Sequence, residues 1–128
     1  MSQTISLISI VVDDYDKAKQ YYTQVLGFHE FEDTPMGETK RWLVVGPNDT
    51  GVRMLLAKAK NEKEAAAVGN QTGGRVFLFL DTDDFWRDHK RYTDAGVEFV
   101  REASTEDYGI VAVFKDVYGN LWDLVQRT

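Results

Sequence analysis

Apolar residues along this chain come in short bursts, and the bursts arrive in the same order twice. Residues 6–12 form a β-branched run closed by Asp13-Asp14, the pattern of a strand buried on both faces. Asp14 then stands where a carboxylate can accept a first-turn N–H and start a helix. Tyr15, Ala18, Tyr22 and Val25 recur at helical spacing, while Lys17, Lys19 and Gln24 fall on the polar side. Gly27 stops that helix, since a residue without Cβ tolerates the left-handed conformation. Residues 28–31, 40–45 and 52–57 read as three further strands, separated by turn-rich 33–38 and 46–51.

The second half repeats the sequence of signals. Residues 75–80 form an apolar strand, Asp83-Asp84 a second cap, and Phe85, His89 and Tyr92 a helical stripe that Gly96 ends. Strands at 97–101, 109–114 and 120–126 follow. Asp14-Tyr15 superposes on Asp84-Phe85, Tyr22 on Tyr92, and Leu26-Gly27-Phe28 on Ala95-Gly96-Val97 with a one-residue gap. Repetition of a whole supersecondary unit predicts an α+β chain of two tandem βαβββ units. The first covers about 5–60, the second about 75–127, within a single domain of residues 1–128. The charged, alanine-rich and then Gly/Asn/Gln/Thr-rich stretch at 58–74 reads as a helical turn plus crossover.

Composition narrows the setting. Hydrophobic residues at 43% and charged residues at 28% suit a water-soluble globular protein. The apolar runs fall far short of the roughly 20 residues that cross a membrane as a helix. Met1-Ser2-Gln3-Thr4 has no basic start leading into an apolar stretch, so no secretory leader is expected. No cysteine is present, which removes disulfides, thiolate metal sites and a cysteine nucleophile and fits a cytoplasmic setting. A net charge of −6 argues against nucleic acid or an anionic membrane as partner.

Several stretches now carry a likeness. Ile8-Ser9-Ile10-Val11-Val12-Asp13-Asp14 leads through Tyr21-Tyr22 to Leu26-Gly27-Phe28, Ala95-Gly96-Val97-Glu98-Phe99 leaves the second helix, and Asp116-Val117-Tyr118-Gly119-Asn120-Leu121-Trp122-Asp123 closes the chain. In this order they resemble the vicinal-oxygen-chelate superfamily of glyoxalases, bleomycin-resistance proteins and dioxygenases. That resemblance implies mixed sheets curled around a cleft, helices outside, a homodimer, and a small molecule in the cleft. It also implies metal ligands on the first and last strands of each unit in the members that use an ion.

Those family positions fall here on Leu7, Leu55, Arg75 and Asp123. Leucine has no lone pair and arginine is a permanent cation, so one carboxylate is left where a divalent ion needs several donors. No cofactor and no metal are therefore expected. His29 and His89 stand away from these positions and read as structural, and no Gly-x-Ser-x-Gly motif is present.

Alternation along strands puts Leu7, Ser9 and Val11 on one face, Arg75, Phe77 and Phe79 on another, and Leu121, Asp123 and Val125 on a third, with Arg53 joining if Leu55 points inward. Candidate ligand-binding residues are thus Ser9, Trp42, Arg53, Arg75, Phe77, Tyr108 and Asp123. Arg75 and Asp123 are expected as neighbours, either as a structural ion pair or with Arg75 free to hold an anionic group. Trp122 should face the helix layer. The favoured reading is a metal-independent, bleomycin-resistance-like binding module whose acidic surface would favour cations. A glyoxalase-like lyase or related metal-dependent enzyme is the alternative, and whether the chain is an enzyme stays open.

Overall fold

The computed structural model describes residues 2–128. The chain divides into two compact units, one ending at Val68 and one beginning at Gly69. The first contains β1 (Leu7–Val12), α1 (Tyr15–Gln20), β2 (His29–Pro35), β3 (Arg41–Gly46), β4 (Arg53–Lys58) and α2 (Glu62–Ala67). The second contains β5 (Val76–Asp81), α3 (Phe85–Asp94), β6 (Glu98–Glu106), β7 (Gly109–Lys115) and β8 (Leu121–Arg127). Each builds an open, four-stranded mixed sheet, in the orders β1-β4-β3-β2 and β5-β8-β7-β6. The first strand of each unit runs parallel to the last, and the other pairings are antiparallel. Two βαβββ units are what the repeat predicted.

The cap signals work as read. Asp14 accepts the Lys17 N–H at 2.9 Å and Asp84 accepts the Arg87 N–H at 3.2 Å. In the first unit α1 packs on β3 and β4, burying Ala18, Tyr22 and Leu26 with Ile10, Val12, Leu43, Val45 and Leu56. In the second, α3 packs on β8 and buries Phe85 and Tyr92. Tyr92 meets Phe114 edge-on, and Trp122 stacks on Phe114 with centroids 5.8 Å apart, on the helix side as expected.

The one-residue gap in the repeat has a structural counterpart. Helix α1 continues into a π-helical turn at Tyr21–Val25, where the Leu26 N–H bonds the Tyr21 carbonyl at 3.1 Å. A π-turn absorbs one extra residue without shifting what flanks it. The equivalent end of α3 closes with ordinary spacing, the Ala95 N–H bonding the Arg91 carbonyl.

Three stretches differ from the sequence reading. Strands β2 and β6 run on to Pro35 and Glu106, four and five residues past their predicted ends at 31 and 101. Bulges between Glu30 and Glu32, and between Phe99 and Ser104, break the alternation a strand prediction relies on. The 58–74 stretch divides differently too: Lys58 ends β4, and α2 is a capped helix with Asn61 accepting the Glu64 N–H at 2.8 Å.

The turn between β7 and β8 carries the buried polar knot of the second unit. Asp116, 4% exposed, accepts the N–H groups of Tyr118 (2.9 Å) and Asn120 (3.0 Å), Asn120 Nδ2 (3.1 Å) and Trp122 Nε1 (3.0 Å). A buried carboxylate is tolerated when its oxygens are supplied with donors in this way.

Candidate functional site

Helices cover one face of each sheet, so the face turned away from them is where a ligand can meet strand side chains. In the first unit, register sets Leu7 beside Arg53, Ser9 beside Leu55, Val11 beside Ala57, and Leu55 beside Val44. Trp42 shares that face, since its neighbour Leu43 is fully buried on the helix side. Ser9, Trp42 and Arg53 of the expected site therefore lie on one surface, Trp42 and Arg53 half-buried and Ser9 exposed.

A cavity of about 630 Å³ opens where β3 begins and β4 ends. Trp42, Leu55 and Ala57 supply an apolar surface, with Tyr15, Arg41 and Lys58 around it. Arg41 is a structural wall. Its Nε and Nη2 grip Asp33 at 3.0 and 2.7 Å, Nη1 reaches Asp16 at 2.7 Å, and the guanidinium lies 5.1 Å from the Tyr15 ring centroid. Lys19 adds a second cation to Asp33 at 2.9 Å. The Arg41 hydrogen bonds, helped by Lys19, hold the Asp33 carboxyl down at about 2.

Farther along β4, Arg53 is engaged differently. Its guanidinium carbon sits 3.6 Å above the centroid of Phe31. Gly46 leaves room for the stack: a Cβ there would crowd Phe31 at 3.1 Å and the Arg53 side chain at 3.4 Å. Arg41, Arg87 and Arg127 are spent on aspartates, whereas Arg53 is in no ion pair among the described residues. Phe31 and Gly46 were not among the candidates read from sequence. The Glu30/Glu32 bulge beside Phe31 follows from no local residue pattern.

In the second unit, Asp123 pairs with Phe79 on one side and Val113 on the other, and Arg101 pairs with Val113 beyond it. Burial pushes the Asp123 carboxyl up from its usual range, with Arg101 and Arg127 pulling the other way. The expected Arg75–Asp123 neighbourhood is not formed. Arg75 precedes β5, is exposed, and its carbonyl accepts the Thr72 hydroxyl at 2.6 Å. Strand β5 starts one residue later than read, and a bulge between Val76 and Leu78 shifts its register, so Asp123 faces Phe79. The same bulge breaks the assumed alternation of Arg75, Phe77 and Phe79; Phe77 is half-buried and Phe79 is 63% exposed. Tyr108 stands at the tip of the β6–β7 hairpin, 48% exposed, its carbonyl accepting the Thr128 N–H.

The donor set does not fit the ion that some relatives of the resembled family hold. Leu7 and Leu55 offer no donor, Arg53 brings a fixed cation beside Leu7, and Asp123 lies between Phe79 and Val113. Among the described residues no three His, Asp or Glu side chains converge. His29 approaches Asp49 at 3.8 Å, and His89 lies against Phe99 with ring centroids 4.3 Å apart. No helix among the described residues is long and apolar enough to cross a membrane.

Comparison with known proteins gives this geometry a context. An uncharacterized protein of Shewanella frigidimarina (strain NCIMB 400) is 53% identical, covering 98% of this chain and 95% of its own. The crystal structure of UcmS2 superposes with a TM-score of 0.84 at 34% identity, over 98% of both chains. TnmS3, an antibiotic binding protein from Streptomyces sp. CB03234, superposes with a TM-score of 0.79 at 30% identity, over 100% of this chain and 98% of that one. A sequence family spanning both units matches residues 4–124. The chain belongs to the Glyoxalase/Bleomycin resistance protein/Dioxygenase superfamily.

Proposed function

We propose that this chain is a metal-independent small-molecule-binding protein that captures its ligand at the end of the first unit's sheet where β3 begins and β4 ends, against Trp42, Leu55 and Ala57. The observation that carries the reading is the cavity of about 630 Å³ with Trp42, Leu55 and Ala57 on its apolar surface. Small-molecule sites are concave, mostly apolar and furnished with a few polar groups, and this one has that make-up. The likeness to TnmS3, an antibiotic binding protein, favours capture of a bulky organic molecule. Leucines at two of the expected ligand positions favour binding without an ion. The working form is a cytoplasmic homodimer, which sedimentation equilibrium checks directly.

Calorimetric titration with planar aromatic compounds tests the reading. Binding is expected in the presence of EDTA, and Trp42→Ala should weaken it about tenfold by removing the aromatic surface. Elemental analysis of the purified protein should find no stoichiometric metal. Turnover of a glyoxalase substrate that rises with added nickel or zinc would reverse the reading in favour of a metal-dependent lyase.

A further inference from the structure

We infer that the first unit's binding face selects a planar aromatic anion, with Arg53 reading the negative charge. This rests on the proposal that the face captures a small molecule, and adds which chemical class it takes. It also reverses the preference for cations that net charge alone suggested.

Three features of Arg53 carry it. First, the guanidinium lies over the Phe31 ring, its carbon 3.6 Å from the centroid, and a guanidinium that stacks on an aromatic ring keeps its edge N–H groups for an anion. Second, the chain carries 21 acidic residues, yet none within ion-pair distance of Arg53 among the described residues. Lys17, Lys19 and Arg41 of this unit are paired, with Asp13, with Glu30 and Asp33, and with Asp33 and Asp16, whereas Lys40 and Lys58, which line the cavity, are in no ion pair among the described residues and add to its positive charge. Third, Gly46 supplies the space in which Phe31 and Arg53 meet, so the stack is built by three residues on three strands.

Register gives the site a length. Arg53, Leu55 and Ala57 occupy successive same-face positions on β4, so the charge lies about 13 Å along the strand from Ala57. Trp42 and Ala57 border the cavity at the far end, with Leu55 between. A flat body of two or three fused rings spans this distance with an acidic group directed at Arg53. The carboxylate that register brings to this face, Glu32, is on the edge strand beyond Val44 and accepts the Thr34 hydroxyl at 3.0 Å. It lies about 10 Å from the β4 axis, two strand spacings away. Net charge governs how a ligand approaches from afar; contact selectivity is set by the group it finally touches, and a charge-assisted bond to a half-buried guanidinium is a strong one.

The test uses three probes with one aromatic body: 2-naphthoate, 2-naphthamide and 2-naphthylmethylammonium, titrated calorimetrically into the full chain. Naphthoate should bind about tenfold tighter than naphthamide, and the ammonium weakest. Arg53→Gln should abolish the naphthoate preference while leaving naphthamide within about twofold. Gly46→Ala, which crowds the stack, should reduce the preference in part. Naphthoate binding no tighter than naphthamide, or Arg53→Gln weakening both alike, overturns the inference and leaves the binding reading standing. If none of the three binds at millimolar concentration, both fall. Circular dichroism checks each variant's fold; should Arg53→Gln not fold, the wild-type ranking of the three probes decides alone.

Discussion

The two units share strand order, cap chemistry and a helix on the same side of the sheet, yet their other faces have nothing in common. The first presents Trp42, Leu55, Ser9 and an arginine stacked on a phenylalanine. The second presents Asp123 between Phe79 and Val113, with Arg101 beyond. On the helix side both are constrained by close packing, where a change of one methylene is felt. The opposite faces also bury residues, Val44 in the first unit and Val111, Val113 and Val125 in the second, yet they differ in charge as well as shape.

The units also differ in what secures their last hairpin, and that difference gives the largest predicted effect. Asp116→Ala strips the acceptor from four donors in the β7–β8 turn and should cost about 3–5 kcal/mol in urea unfolding. Asp116→Asn should recover less than half of the loss, because an amide nitrogen would face the Trp122 and Asn120 donors. The equivalent β3–β4 loop relies on exposed Asn48, which accepts the Thr50 N–H and hydroxyl at 2.9 and 3.1 Å. Asn48→Ala should cost under about 1 kcal/mol. Equal costs at Asp116 and Asn48 would erase the distinction between the two turns.

Next in size is an acid sensitivity belonging to the first unit. Asp33 titrates at about 2 in the folded protein against an ordinary value of 3.8, chiefly through its hydrogen bonds to Arg41. A depressed carboxylate contributes stability that is complete above about pH 4 and lost as pH falls toward 2. The contribution is about 2 kcal/mol at neutral pH. Asp33→Asn should lose about that much at pH 7 and flatten the acid limb, so that variant and parent converge near pH 2. An unchanged limb in the variant would assign acid sensitivity elsewhere.

The repeat, the α+β class, both caps and the helix-side placement of Trp122 were legible because each follows from local rules: a β-branched run, a capping aspartate, a glycine stop. The free faces were legible only in part. Ser9 and Arg53 could be placed because β1 and β4 keep strict alternation, so counting by twos reaches the right side. Arg75 could not, because a bulge in β5 resets the count and the strand begins one residue later than its apolar run suggests. Phe31 escaped notice for the same reason, lying beside the bulge in β2. Bulges depend on how two distant strands settle against each other, which no window of residues along one strand reports.

A smaller effect should be shared by both units. Asp14→Ala and Asp84→Ala each remove one N-cap hydrogen bond and should each cost about 1 kcal/mol. Chemical denaturation of the two single variants checks it. A cost confined to one of them would break the equivalence of the helix starts that revealed the repeat.

The smallest prediction returns to the free face of the second unit. Burial raises the Asp123 carboxyl, and Arg101 and Arg127 only partly offset this. A raised carboxyl favours the protonated folded state, so its contribution is best at low pH and declines as pH rises through the folded pKa. Asparagine is neutral throughout. Asp123→Asn should therefore be slightly more stable than the parent at pH 7, by less than about 1 kcal/mol, and indistinguishable from it at pH 3. Thermal melts at the two pH values decide. A variant less stable at pH 7 would mean that Arg101 and Arg127 hold Asp123 as a net-favourable ion pair. The charge on this face would then be structural, in contrast to Arg53 of the first unit, which stacks on Phe31 and is in no ion pair among the described residues.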